Sequence, residues 1–156
     1  MKKLICMLII LAGLAAVFTA VAEDKQVFIF CNPKTCVNVR RSAKKGSEVA
    51  GRLDFGDWVQ TDGKKKNGFL HVIGIGEYGE GWIFAGYVVE DQPVKLEKAW
   101  ATVAASGRVM SYRWVDGLKN GWVNVCDDVQ VLGWSEEWAI TNKGYIRTKY
   151  LEVWYE

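Results

Sequence analysis

The sequence predicts an all-β protein: two small β-barrels in tandem behind a cleaved signal peptide. Three observations lead there. Nineteen of the twenty aromatic residues fall after residue 22, alongside sixteen Gly and only two Pro in the whole chain, a composition of short strands and tight turns. No stretch of ten or more residues carries apolar side chains at a helical period with a suitable cap. Finally, the chain repeats itself at an offset of 70 residues, the mark of duplicated units.

The N-terminus is built differently from the rest. Met1, Lys2 and Lys3 form a short positive region, residues 4–18 are an almost unbroken apolar run, and Ala20, Val21 and Ala22 make an A-x-A cleavage site before Glu23. That is the pattern of a secretory signal peptide. A membrane anchor would need ~20 apolar residues, and Cys6 sits too early for lipoprotein processing. Removing 22 of 156 residues leaves 134, and with Lys2 and Lys3 gone 18 basic side chains face 18 acidic ones. A neutral chain has no long-range field to gather phosphate polyanions, which excludes general nucleic-acid binding. The expected product is secreted or periplasmic, with no membrane span in the mature protein.

Residues 23–92 form the first expected barrel and residues 93–156 the second. Strand-like runs in the first unit lie at 27–31, 37–40, 48–53, 58–61, 69–73 and 81–83. The intervening turns carry Asn32 with Pro33, Lys45 with Gly46, Phe55-Gly56-Asp57, and Asp62 with Gly63, residues that reverse a chain. Sliding the sequence by 70 lays 37–60 over 107–130 without a gap, so that Val39 meets Val109 and Gly51 meets Gly121. The offset becomes 69 at Phe69 and Trp138, then 63 after the loop at 74–79, where Gly81-Trp82-Ile83 meets Gly144-Tyr145-Ile146. Closure into barrels would remove exposed sheet edges. The connector at 90–97 lacks Gly and Ser, so the two units should pack as a fixed pair.

Val37-Asn38-Val39-Arg40-Arg41-Ser42, followed after a variable loop by Gly51-Arg52-Leu53-Asp54-Phe55-Gly56-Asp57, resembles the LNVRSGPS…G.L..G signature of the bacterial SH3 domain family. Gly68-Phe69-Leu70-His71-Val72 is similar to that family's GWYKV segment, and Gly81-Trp82-Ile83 with Tyr87-Val88 to its closing GWV…YL. The second unit departs from the pattern: Arg108-Val109-Met110-Ser111 lacks the NVR core, although Lys143-Gly144-Tyr145-Ile146 and Tyr150-Leu151 keep the ending. The resemblance implies two SH3-like β-barrels of five or six strands, and attachment to cell-wall peptidoglycan as a targeting module. It does not imply binding of proline-rich peptides, because the ALYDY-type motif is missing.

No catalytic constellation is legible. His71 is the only histidine, whereas nucleophilic catalysis usually needs a His base and a metal site several ligands. Wall hydrolases with such SH3 units carry a separate Cys–His domain, for which 134 residues leave no room. Asp127 with Asp128 and Glu136 with Glu137 are adjacent pairs, and neighbours on a strand point to opposite faces, so neither pair converges on one bond. Both pairs are expected to be solvated turn residues, His71 a rim residue, and the Lys64-Lys65-Lys66 run a solvated loop tip. No enzyme activity, cofactor or metal is expected. Cys31 and Cys36 flank a four-residue turn, and in an oxidising compartment a hairpin disulfide is expected there; the alternative is two reduced, buried side chains. Cys126 falls where the first unit has Gly56 and is expected to be a buried small apolar group.

These observations point to a non-catalytic secreted binding protein whose ligand is cell-envelope material, with peptidoglycan peptide the leading choice. The alternative is a structural or regulatory subunit that docks an envelope protein partner through its aromatic surface. A 60-residue barrel cannot bury this many rings. If Val59 and Thr61 face inwards, alternation puts Trp58 and Gln60 outwards. Exposed Trp and Tyr offer large contact area with few rotors to freeze. The expected ligand-binding residues are Trp58, Tyr78, Trp82, Trp114 and Trp134, with the surface centred on the first unit and its 74–79 loop. The competing expectation is that these rings fill the interface between the barrels.

Overall fold

A computed structural model describes residues 24–74 and 79–155; the signal peptide read at 1–22 and the candidate Tyr78 lie outside the described residues. The first sheet holds β1 (Lys25–Ile29), β2 (Val37–Arg40), β3 (Val49–Leu53), β4 (Trp58–Thr61), β5 (Lys65–Lys66), β6 (Phe69–Ile73), β7 (Glu80–Phe84) and β8 (Val88–Val89). The second holds β9 (Val94–Val103), β10 (Val109–Tyr112), β11 (Lys119–Val123), β12 (Asp128–Trp134), β13 (Trp138–Thr141), β14 (Gly144–Arg147) and β15 (Leu151–Tyr155). One 3-10 turn, Ala85–Tyr87, precedes β8, and another, Thr148–Tyr150, precedes β15. All strand pairs are antiparallel, and the protein is all-β.

The two sheets share one strand order. The first runs β3-β2-β7-β6-β4-β1-β8 and the second β11-β10-β14-β13-β12-β9-β15, which coincide when each strand is matched to its counterpart. The turns repeat as well. Asp57 Oδ2 accepts the Asp54 N–H, and Asp127 Oδ2 accepts the Asn124 N–H. At the same turn position Gly56 has φ +86° and Cys126 φ +65°, a left-handed conformation that suits Gly and is uncommon in other residues. That turn projects outward, so Cys126 is exposed rather than buried as expected.

Closed barrels do not form. Each hydrogen-bonded path is open, ending at β3 and β8 in one sheet and at β11 and β15 in the other. The physical reason is that β8 contributes only two residues, and that Arg52, Lys119 and Glu152 on the end strands guard the edges by charge instead of closure.

Alternation sets the cores. In β4, Val59 and Thr61 are buried and Trp58 and Gln60 exposed, as the period of two dictates. Val27, Ile29, Val39, Val59, Val72 and Ile83 lie at the centre of the first core, and Ala99, Ala101, Val103, Val129, Val131 and Ile146 at that of the second. A third apolar cluster joins the sheets: Phe30 and Val89 from the first pack with Trp138, Ile140 and Tyr145 from the second. Here rings fill the interface. Tyr145 donates its hydroxyl to the Phe30 carbonyl at 3.0 Å and meets the Phe30 ring edge-on at 5.8 Å.

The structure shows no bond between Cys31 and Cys36. Cys31 lies two residues beyond β1, inside the first core, its thiol directed at the Thr35 carbonyl 3.5 Å away. Cys36 sits exposed across the turn. The turn thus parts the two side chains into different environments, and burial raises the Cys31 pKa, keeping it a thiol.

Candidate functional site

A cleft of about 710 Å³ opens where three turns meet: the end of β7 with its 3-10 turn, the β10–β11 loop, and the β12–β13 turn. Its inner wall is aromatic. Trp114 stands edge-on to Phe84 with centroids 5.1 Å apart, and Trp138 lies deeper, buried in the shared cluster. The backbone fixes this junction, with the Val115 N–H donating to the Gly86 carbonyl at 3.0 Å. Gly86 is required there. A Cβ on it would lie 2.7 Å from the Phe84 ring and 2.8 Å from Trp114 Cγ, so only a bare backbone lets the indole lie against the first sheet.

The rim is acidic. Glu90, Asp91, Asp116, Glu136 and Glu137 line it against a single basic residue, Lys65. Two further cations reach the rim from outside. Arg147 binds Asp116 Oδ1 at 2.7 Å and also pairs with Glu137, while its guanidinium lies 4.1 Å from the Trp138 ring centroid, a cation–π contact. Lys25 pairs with Glu90. Five carboxylates against three cations leave an excess of two negative charges. Asp91 Oδ2 is already fixed, accepting the Glu136 N–H at 2.6 Å. The turn is held further by the Trp138 N–H donating to Ser135 Oγ and the Thr148 hydroxyl donating to the Glu136 carbonyl. The arrangement suits a ligand with a cationic end and an apolar stem.

Of the expected binding residues among those described, only Trp114 lines this cleft. Trp58 is 58% exposed on the outer face of β4, opposite Phe28 of β1. Trp82 is half-buried against His71, with ring centroids 4.8 Å apart. Trp134 packs on the second core. These positions do not converge. His71 is held on the first sheet by Asp62, Nδ1 to Oδ2 at 3.0 Å, with Glu80 3.7 Å from Nε2. Asp62 has its carboxyl lowered to about 2, first by the hydrogen bond from Lys64, with smaller contributions from His71. The Lys64 end of the lysine run is therefore ion-paired, and Lys65 and Lys66 form β5. Asp127 and Asp128 also have structural work: Asp127 closes its turn, and Asp128 accepts the Thr102 hydroxyl.

Phe84, Arg147, Glu90, Asp91 and Asp116 carry no motif, and Glu136 with Glu137 reads in the sequence only as a solvated turn pair. Their signal is divergence between the copies. Asp116, Glu136 and Glu137 stand where the first unit has Gly46, Asn67 and Gly68. The cross-strand pair Phe69 with Phe84 is replaced by Trp138 with Arg147 in the second sheet.

Fold and site together define a class: two matching antiparallel sheets enclosing an aromatic, acid-rimmed cleft. No family model matches this chain, and no curated protein matches it. Among solved structures it is similar to NlpC1 from Trichomonas vaginalis, at 20% identity and a TM-score of 0.36, over 83% of this chain and 45% of that one. It is likewise similar to NlpC2 from Trichomonas vaginalis, at 19% identity and a TM-score of 0.37, over 84% of this chain and 48% of that one. The chain therefore spans less than half the length of either, and at such TM-scores neither likeness assigns it a family or an activity.

Proposed function

We propose that this is an exported, non-catalytic binding protein built of two SH3-type units of the bacterial kind, which holds the stem peptide of peptidoglycan in the cleft between its sheets. One observation carries the reading: an aromatic wall and an excess of carboxylates line the same cleft. A peptide bearing an amine on a methylene stem matches both. Its methylenes would cover Phe84 and Trp114, and its ammonium would reach the rim at Glu136, for which no ion pair is formed among the described residues. Exposed ion pairs contribute only about 0.2–1 kcal/mol each, whereas a buried aromatic anchor is commonly worth about 2 kcal/mol or more. Trp114 should therefore dominate affinity, and the carboxylates should select for the amine. The reading is non-catalytic because Ser135, the hydroxyl of the cleft, has no histidine base beside it: His71 is held by Asp62 and does not line the cleft.

A second reading is favoured by Trp58 and Trp122, 58% and 56% exposed on separate surfaces: a regulatory subunit that docks an envelope protein. Sedimentation with purified peptidoglycan sacculi, followed by calorimetry with soluble stem peptides, separates the two. The cleft reading expects retention on sacculi, a loss of at least tenfold, about 1.4 kcal/mol, in Trp114→Ala, and a weaker loss in Glu136→Gln confined to amine-bearing peptides. No retention on sacculi, or retention abolished by Trp58→Ala and untouched by Trp114→Ala, overturns it.

A further inference from the structure

A second aromatic surface lies away from the cleft, on the outer face of the second sheet. Trp100 of β9 and Trp154 of β15 are directly opposite in register, and their rings are stacked, 15° from parallel with centroids 6.1 Å apart. Neither indole belongs to any of the three apolar clusters. Trp154 is 40% exposed, so the ring is held in water without serving the core. Leaving apolar surface in water forgoes about 25 cal/mol per Å², which makes a stacked, solvent-facing pair a feature with a use elsewhere.

The pair is also held in place. Trp154 Nε1–H donates to Thr102 Oγ1 at 3.2 Å, and the same hydroxyl donates to Asp128 Oδ1 at 2.6 Å. Thr102 and Asp128 are cross-strand neighbours one row along, and Gln130 stands beside Trp100 in the same row as the indoles. The result is a fixed aromatic surface flanked by a carboxylate and an amide. The first sheet has no equivalent: its residues at the places of Trp100 and Trp154 are Gln26 and Asp91.

We infer that the Trp100–Trp154 face binds the sugar rings of a β-1,4-linked glycan chain. Pyranose rings present a flat apolar C–H face that stacks on indole, ringed by hydroxyls that donate to carboxylates and amides. Asp128 and Gln130 supply those partners, and the flat ribbon of a β-1,4-linked chain leaves its ring faces open to the exposed side of the stacked pair. A cation is a poorer occupant, because the two rings stack on each other and leave no cage between them. This surface is separate from the cleft and stands or falls without it.

The test is titration of the signal-peptide-free protein with cellohexaose and with chitohexaose, read by the indole N–H resonances and by intrinsic fluorescence. The Trp154 N–H, assigned by its loss in Trp154→Phe, should shift with at least one of the two sugars, and which one responds distinguishes plain from N-acetylated chains. Trp154→Ala should weaken binding at least tenfold, while Trp114→Ala leaves it unchanged. Thr102→Val, which frees the indole N–H but keeps both rings, should weaken it less. No shift of the Trp154 resonance at millimolar sugar overturns the inference, and so does a shift produced by an alkylammonium salt but by neither sugar. The wild-type titration decides even if a variant fails to fold.

Discussion

Tyr145→Phe isolates one buried hydrogen bond between the two units. The wild-type hydroxyl donates to the Phe30 carbonyl at 3.0 Å, and Phe30 is fully buried with Tyr145 nearly so. Phenylalanine keeps the ring and its edge contact, so the change removes one hydrogen bond and leaves a buried acceptor unpaired, worth about 2 kcal/mol. For a chain of this size that is a fall in Tm of roughly 4–8 °C. The effect should also depend on pH. Burial pushes the Tyr145 pKa well above its ordinary value of 10.0, so the folded state keeps a proton that the unfolded state releases. A group raised in this way stabilises the fold fully below its unfolded pKa, and its contribution falls as pH rises above that value, by about 1.4 kcal/mol per pH unit. The variant has no such group. The gap between wild type and variant should therefore be widest near pH 8 and close by about pH 11.5, where about 2 kcal/mol has been titrated away. Tyr87, also raised by burial, titrates equally in both proteins and cancels. Urea unfolding followed by tryptophan fluorescence at pH 8, 10 and 11 measures the gap directly. A gap of zero at pH 8, or one that holds constant to pH 11, refutes the placement of this hydroxyl.

Gly86→Ala should destabilise the fold by about 1–3 kcal/mol through overpacking, because the new methyl meets Phe84 and Trp114; an unshifted Trp114 indole resonance would contradict this. Asp62 should titrate at about 2 by NMR, and Lys64→Ala should move it most of the way back towards 3.8, since the Lys64 hydrogen bond is the largest cause of the shift. Because its folded pKa is lowered, any stability it contributes is present above 3.8 and is lost as pH falls through about 2. Of the three described cysteines, exposed Cys36 and Cys126 should react with a thiol reagent at once and buried Cys31 only on unfolding. Three equally fast thiols would refute the burial of Cys31.

Strand positions were legible because each rests on a local rule. The outward Trp58 and Gln60 and inward Val59 and Thr61 follow from the period of two, and the 70-residue offset carried the turn at Asp57 onto the turn at Asp127. What sequence could not supply was which residues of the two copies touch. Gly86 and Gly133 carry no signal of their own in the sequence, yet each is where a ring from the opposite unit presses close, Trp114 in one case and Phe55 in the other. The cleft carboxylates were equally hidden, since Glu136 and Glu137 are adjacent and point apart, and they acquire a common target only when the first sheet is placed against their turn. Barrel closure was overestimated because edge charge, which the sequence does show at Arg52 and Lys119, does the same protective job.

The two copies keep one strand order and use the same register positions differently, which is where the site arises. In the first sheet Phe69 faces Phe84 edge-on, 5.9 Å apart, a contact that needs no charge. In the second, the equivalent strands place Arg147 over Trp138. A guanidinium there must have anions, and it finds them in Asp116 and Glu137, which belong to two different loops. Satisfying one arginine thus draws both acidic loops to the junction, next to a sheet whose own aromatic pair has left Phe84 facing Trp114. The cleft takes its wall from Phe84 of the first copy with Trp114 and Trp138 of the second, and its rim from Glu90 and Asp91 of the first with Asp116, Glu136 and Glu137 of the second. A single unit of this fold would lack the facing side of both wall and rim.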